Sequence, residues 1–434
     1  MDRIFYDVTA AAVLLCGLAL LFYAPRLYAW LFAATRQEKL VAVKNRKLAI
    51  VIPARNEIKA IPLLLDSIGR QTYPRADFDF FVIVKDPADP VIALAEAAGG
   101  TAYALAAQTC KGDALDYCLK RILADKPGAY DGFMIVDADC VLDDRCMEEM
   151  NNALESGRDI VQAKKIVKNY YYDKKKTWSL SGGCNGVIWT IIDELGNRFK
   201  SDRNITNMTI GTGIMLSGAL VKKLGGWPYR ATLTEDIELM YDCVIHDYTT
   251  FYYSHAQIYV EEAVKHSSTN KRRNRWLNGI INSLRLYRRK LWGLPKTKRN
   301  LANMYYSVAL EPAFVYVGGL AAYALFSAVY ALKTLIFHGD KLWFTYLIFS
   351  LSALGVMYLS FFVMTAWCLW VDRKYYKAIS FWKRLAIAFV HPLFYAEYVW
   401  IIGKHLLIRK PAAWKVIERA NFSERVAERP AGDK

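Results

Sequence analysis

Two aspartates one residue apart, Asp137 and Asp139, follow a short apolar run ending at Val136; farther along come Thr234-Glu235-Asp236 and Arg272-Arg273-Asn274-Arg275-Trp276. A spacing of two brings both carboxylates near one point where a strand runs out into a loop. Hard oxygen ligands of this kind suit Mg2+ or Mn2+, ions that bridge phosphate oxygens. The same pair also suits an ordinary turn capping the next helix, because Asp is common there. Asp236 is placed to accept a proton from a hydroxyl group, while Thr232 and Glu235 have the S/T-x-x-E spacing of a capping box. Guanidinium forks hold phosphate oxygens bidentately, and an indole stacks on the apolar face of a ring. A run of cations beside apolar segments is otherwise a solvated or lipid-facing surface.

These residues need elements to position them. Between residues 47 and 270, β-rich runs at 48–52, 78–84, 101–105, 133–136, 159–166 and 210–217 alternate with helical stretches at 58–69, 90–98, 113–124 and 145–155. Strands alternating with helices of this length predict βαβ units, a mostly parallel sheet and helices on both faces. Ligands then bind at the carboxyl ends of the strands. Pro53 to Glu57 follow the first strand, Lys85-Asp86 the second and Asp137-Ala138-Asp139 the fourth. Glu57, Asp86, Lys111 and the Asp pair would line a crevice suited to a nucleoside diphosphate with its metal.

The chain has 434 residues, is 54% hydrophobic and carries a formal charge of +16. Residues 8–34 are apolar apart from Pro25 and Arg26, long enough to cross a bilayer and too long for a signal-peptide core. Arg26 must snorkel or face a polar interior. Arg36, Lys39, Lys44, Arg46 and Lys47 follow it, against Arg3 alone before it, which puts residue 36 onward in the cytoplasm. Residues 304–337 and 342–371 form a second and third apolar run, read as a transmembrane hairpin. The stretch 385–408 contains His391, Pro392, Glu397, Lys404 and His405 and is followed by basic residues, so a full span and a re-entrant or interfacial segment both fit. Residues 276–294 mix Trp, Ile and Leu with Arg and Lys, as a helix lying in the interface does. The expected organisation is an anchor at 1–35, a cytoplasmic domain at 36–275, an interfacial region at 276–300, a membrane region at 301–408 and a basic cytoplasmic tail at 409–434.

The basic residues hug the apolar segments instead of interleaving with aromatics on the soluble domain, which argues against nucleic acid. A transporter would concentrate polar residues in many spans. The eight cysteines show no CxxC pair and no metal-ligand spacing with the six histidines, so reduced, buried thiols are expected. Cys140, directly after the Asp pair, is given no catalytic role.

In this order, IPARNE (52–57), the Lys-Gly of KGDALDY (111–117), DAD (137–139), GTG (211–213), TED (234–236) and RRNRW (272–276) resemble the family 2 membrane glycosyltransferases, the group of cellulose, hyaluronan, chitin and poly-N-acetylglucosamine synthases. The resemblance implies an α/β GT-A fold and an inverting transfer from a UDP-sugar to a growing polysaccharide that the membrane helices translocate, or one sugar added to a lipid acceptor. It implies that Glu57, Asp86, Lys111 and Asp137 contact the nucleotide and donor, that Asp139 holds Mg2+ or Mn2+, and that Asp236, beside Glu235, is the base. Arg273 and Arg275 would hold the diphosphate; Gly211, Thr212, Gly213 and Trp276 would meet the acceptor. The setting would be the plasma or inner membrane, and with so few spans a channel would draw on a second copy or a small membrane partner. Arg272 stands where that family usually has Gln, Asp113 where a small residue is common, and Asp86 alone carries over from the second-strand motif.

Overall fold

The computed structural model describes residues 3–172, 177–309, 313–337 and 341–408. Between residues 48 and 260 the described residues build one eight-stranded sheet in the order β3-β2-β1-β4-β7-β6-β8-β5. The strands are β1 (Leu48–Pro53), β2 (Phe78–Val84), β3 (Thr101–Ala104), β4 (Gly132–Ile135), β5 (Val141–Leu142), β6 (Ile160–Val167), β7 (Ile214–Ser217) and β8 (Thr250–Val260). In β1 the two-residue period divides the core: Leu48, Ile50 and Ile52 pack with Leu64 and Ile68 on one face, Ala49 and Val51 with Leu115 and Leu119 on the other. A strand covered on both faces reads as an unbroken apolar run, which is why LAIVI was recognisable.

The sheet is more mixed than the alternation suggested. β1, β2, β3 and β4 are parallel, and so are β6 and β8, but β7 runs antiparallel between β4 and β6, and β5 antiparallel to β8. The run expected at 210–217 is a strand only from Ile214, because Gly213 turns with φ 64° and its N–H donates to the Ile135 carbonyl at 2.9 Å. β8 went unpredicted: Ser254, His255 and Gln257 break its apolar pattern, and its register against β6 shifts between Ala163 and Lys164.

Among the described residues, four helices are long and apolar enough to cross a membrane: Arg3–Phe32, Tyr316–Phe337 within Ala313–Phe337, Leu342–Val371 and Phe381–Leu407. The apolar run expected from residue 304 begins instead with a separate π-helical turn, Met304–Val308. Phe381–Leu407 is one uninterrupted helix of 27 residues with Pro392 inside it, so it is not a broken re-entrant loop. The amphipathic helix starts at His266 and runs to Trp292, ten residues earlier than the sequence suggested, so the Arg/Trp cluster is part of it. The expected tail at 409–434 and most of the polar turn at 338–341 lie outside the described residues. All eight cysteines are free, six of them buried.

The sheet is fixed to the long apolar helices by buried charge. Lys164 of β6 lies 2.8 Å from Glu194 in the π-helical segment Ile191–Asn197 and 2.8 Å from Asp372, the residue after Leu342–Val371. Thr190 Oγ1 donates to Asp372 at 2.7 Å and Tyr252 OH to Glu194 at 2.8 Å. Removing a buried cation strands its partners without compensation, at about 3–5 kcal/mol. Lys164→Met is expected to lower the stability of the solubilised protein by about that amount, read from the denaturation midpoint; an unchanged midpoint would show that the network contributes little.

Candidate active site

Each cluster is delivered by a different element. β4 ends at Ile135, and the chain turns out through Asp137, whose N–H donates to Thr212 Oγ1 at 3.0 Å. Lys111 opens the helix Lys111–Asp125. Asp113 accounts for its own unusual presence: its carboxylate accepts from Thr109 N at 2.8 Å and Cys110 N at 3.1 Å, capping that helix and fixing Lys111 at its mouth. Gly112 is needed beside it, since a Cβ there would lie 2.4 Å from the Tyr229 carbonyl. Glu235 and Asp236 form the first turn of the helix Glu235–His246. The Thr232–Glu235 capping box does not form: Glu238 takes both the N–H and the hydroxyl of Thr232, at 2.6 and 2.8 Å, which releases Glu235.

These groups converge on Lys111. Its ammonium lies 2.7 Å from Asp137 Oδ1 and 3.3 Å from Glu235 Oε1, and it donates to the Gly211 carbonyl at 2.5 Å. Gly211 N–H donates to Asp236 Oδ2 at 2.8 Å, and Ile237 N–H to Oδ1 at 2.9 Å. Burial alone would lower the Lys111 pKa, but Asp137 and Glu235 outweigh it and raise it. Burial and then Asp139 push the Asp137 carboxyl up against the opposing pull of Lys111. Burial and the charge of Glu235 push Asp236 up to about 7, with Lys111 and the two N–H groups opposing. A carboxyl poised there is matched to proton transfer near neutral pH. Cys140 is inert by contrast: its thiol is buried against Thr212 Oγ1 at 3.3 Å, and burial together with the two aspartates holds it protonated.

A cavity of about 540 Å³ runs from these groups to the membrane helices. Glu57, Lys111, Asp137, Asp139, Gly211, Thr212, Glu235, Asp236, Arg275 and Trp276 all line it, so the structure brings most of the expected residues together. Helix geometry sorts the Arg/Trp cluster. Arg272, Arg275 and Trp276 stand at i, i+3 and i+4 and share the cavity face, whereas Arg273 must point elsewhere. Arg273, expected at the diphosphate, is buried against Phe381–Leu407: it pairs with Glu397, donates to the Phe394 carbonyl at 2.9 Å and lies 3.9 Å above the Phe394 ring. Arg272 is also committed, to the Glu262 carboxylate, with its guanidinium 4.8 Å above Trp276. Arg275 keeps a buried Nε with no hydrogen-bond partner and faces the cavity.

Asp86 does not line the cavity; it sits exposed on the turn after β2 and accepts from Ala88 N at 2.9 Å. Gly213 does not line it either, being packed on Ile258, where a Cβ would come within 2.5 Å. Sequence reasoning missed Trp30, Lys165, Trp189, Tyr395 and Tyr398 in the lining. Arg26 was signalled by its charge within an apolar run: it lines the cavity, donates to the Tyr305 carbonyl at 2.6 Å and lies 5.0 Å above the Tyr305 ring. The others carried no spacing that sets them apart from core aromatics.

Residues 45–279 match the model of the family described as glycosyltransferase like family 2. No curated protein matches the chain by sequence. Among solved structures, the mannosyltransferase PcManGT from Pyrobaculum calidifontis, in complex with GDP-Man and Mn2+, is similar with a TM-score of 0.52 at 17% identity, covering 81% of this chain and 96% of that one. That likeness shows a shared GT-A fold. S. aureus TarS 1–349 is similar with a TM-score of 0.40 at 12% identity, covering 83% of this chain and 91% of its own, and its complex with UDP-GlcNAc with 0.41 at 13%, covering 83% and 92%.

The charge of Glu235 is one cause of the high Asp236 pKa. Glu235→Gln is therefore expected to move the Asp236 ionisation down from about 7, followed by infrared difference spectra of the carboxylate band. A midpoint that stays in place would remove Glu235 as a cause.

Proposed function

The chain belongs to glycosyltransferase like family 2 and is a glycosyltransferase; on that premise we propose that it is a membrane-bound, inverting enzyme that moves a sugar from a nucleoside diphosphate donor to an acceptor reaching the site from the membrane side. The observation that carries this reading is the single cavity joining Asp236, Lys111 and the Asp pair to residues of three apolar elements: Arg26 and Trp30, Tyr306, and Tyr395 and Tyr398. The four long apolar helices support a membrane location, with the catalytic domain on the cytoplasmic side that its basic flanks favour.

The acceptor hydroxyl attacks the anomeric carbon as its proton passes to Asp236, and the bond from that carbon to the diphosphate oxygen breaks. Glu235 is less suited to the base role because Lys111 lies 3.3 Å from it. Arg275, with no hydrogen bond at Nε, receives the charge that develops on the diphosphate. Asp137 and Asp139 offer hard oxygens to Mg2+ or Mn2+. Among the described residues no three His, Cys, Asp or Glu side chains converge on one point, so a metal here would complete its shell with phosphate and water oxygens, a set that suits these ions. Such an ion supplies neutralisation of the leaving diphosphate. Lys111 and Glu57 line the donor end of the cavity. UDP is the nucleotide that the motif resemblance favours.

The aromatic walls near the membrane, Trp189, Trp276, Tyr395 and Tyr398, favour a growing polysaccharide as acceptor, extended and passed outward. The aliphatic walls, Ala29, Ile192, Leu195, Ile280 and Val308, favour the second reading, one sugar added to a lipid. Product length separates them: incubation with UDP- and GDP-sugars and Mn2+ yields a ladder of sizes under the first and a single addition to lipid under the second. A transferase lacking both products would overturn the acceptor assignment.

Asp236→Asn is expected to lower kcat/KM by a factor of about 10²–10⁴. In the wild-type enzyme the base works when deprotonated, so kcat/KM falls as pH drops through about 7. A flat profile from pH 6 to 8 (roughly one unit on each side of that value) with an active Asn variant would exclude Asp236 as the base.

A further inference from the structure

Glu262, just past the end of β8, is fully buried, and its carboxylate takes three donors. Trp189 Nε1 donates at 2.8 Å, Asn185 Nδ2 at 2.7 Å, and the Arg272 guanidinium pairs with it. Arg272 also donates to the Glu261 carbonyl at 3.0 Å and lies over Trp276. One carboxylate thus fixes two indoles, Trp189 directly and Trp276 through a guanidinium. The indoles meet edge to face, with ring centroids 5.7 Å apart and an interplanar angle of 66°. Both line the cavity that holds Asp236. A buried carboxylate is costly unless paired and hydrogen-bonded, and here its pairing serves to orient two rings.

Trp276 is expected at the acceptor from the motif resemblance; we propose that Trp189 is the second wall of that saccharide subsite and that Glu262 is the positioning residue of both indoles. The ligand class is a pyranose unit, which offers a C–H face to one indole while the second ring closes its flank. Trp189 lies outside every motif apparent in the sequence, and Arg272 belongs to this corner and not to the diphosphate. The proposal rests on the transferase reading above.

The test uses the full-length protein in lipid nanodiscs with cello-, chito- and manno-oligosaccharides as soluble acceptors. Trp189→Ala raises the acceptor KM by roughly two- to tenfold while the donor KM stays in place, and Trp189→Phe, which keeps a ring but loses the N–H, falls between. Glu262→Gln raises the acceptor KM in the same direction, and Glu262→Asp recovers part of the loss. An acceptor KM unmoved in both Trp189 variants, or a donor KM that rises in parallel, overturns the subsite. Binding is read independently of catalysis from the tryptophan fluorescence of Asp236→Asn protein titrated with the same sugars. A saturable change that weakens in the Trp189→Ala background supports the subsite, and no saturable change in either protein overturns it. Failure of the transferase reading would show separately, as no sugar transfer by the wild-type protein from any UDP- or GDP-sugar to these acceptors or to lipid.

Discussion

Asp137, Glu235 and Asp236 crowd one corner of the cleft, and the ammonium of Lys111 is what lets them stay there. It lies within 3.3 Å of both Asp137 and Glu235 and holds the Gly211 carbonyl, which in turn presents Gly211 N–H to Asp236. Strand β4, the loop before β7 and the helix Glu235–His246 are thereby registered on one cation. The consequence is a division of labour among chemically similar groups. Glu235 pairs directly with the cation; Asp236 accepts two backbone N–H groups, and burial and the charge of its neighbour push it up to about 7 against the pull of those groups and of Lys111. Two adjacent carboxyls differ in role because their partners differ.

The second constraint is the continuity of the helix His266–Trp292. A helix places i, i+3 and i+4 together and sends i+1 away. Arg272, Arg275 and Trp276 therefore face the cavity, and Arg273 grips Glu397 and Phe394 of a membrane helix. One five-residue cluster builds the site and fastens it to the membrane region. Lys164, Glu194 and Asp372 make a second fastening from the sheet. The catalytic cleft is thus open toward the apolar helices along a wall held rigid on two sides.

The parts legible in the sequence were those whose signal is local. The buried strand LAIVI, the Asp pair after β4 and the apolar spans each carry their own period or spacing. Asp236 was singled out over Glu235 because Glu235 had the capping-box spacing, although in the structure Glu238 satisfies Thr232 instead. Arg273 was misplaced because five residues beside a membrane give no sign of whether they are a loop or a helical turn. β8 was missed since its polar residues and register shift erase the two-residue period. Trp189 and Glu262 are joined only across the fold, 73 positions apart, and no sequence period links them.

At Arg272, Arg273 and Trp189 the missing signal was a long-range electrostatic pairing. Arg272 departs from the residue usual at its position, yet it is buried against a carboxylate that has two other donors. A neutral side chain there would leave Glu262 as a buried charge without a cationic partner, a situation that costs several kcal/mol. Arg272 and Glu262 therefore act as a pair: a cation on the helix balanced by an anion just past the end of β8. The pair keeps the two indoles oriented and leaves Arg275, with a buried Nε that has no hydrogen-bond partner, facing the cavity, so under the proposed reading the unusual first residue of the cluster acts on the acceptor wall and leaves the diphosphate to Arg275.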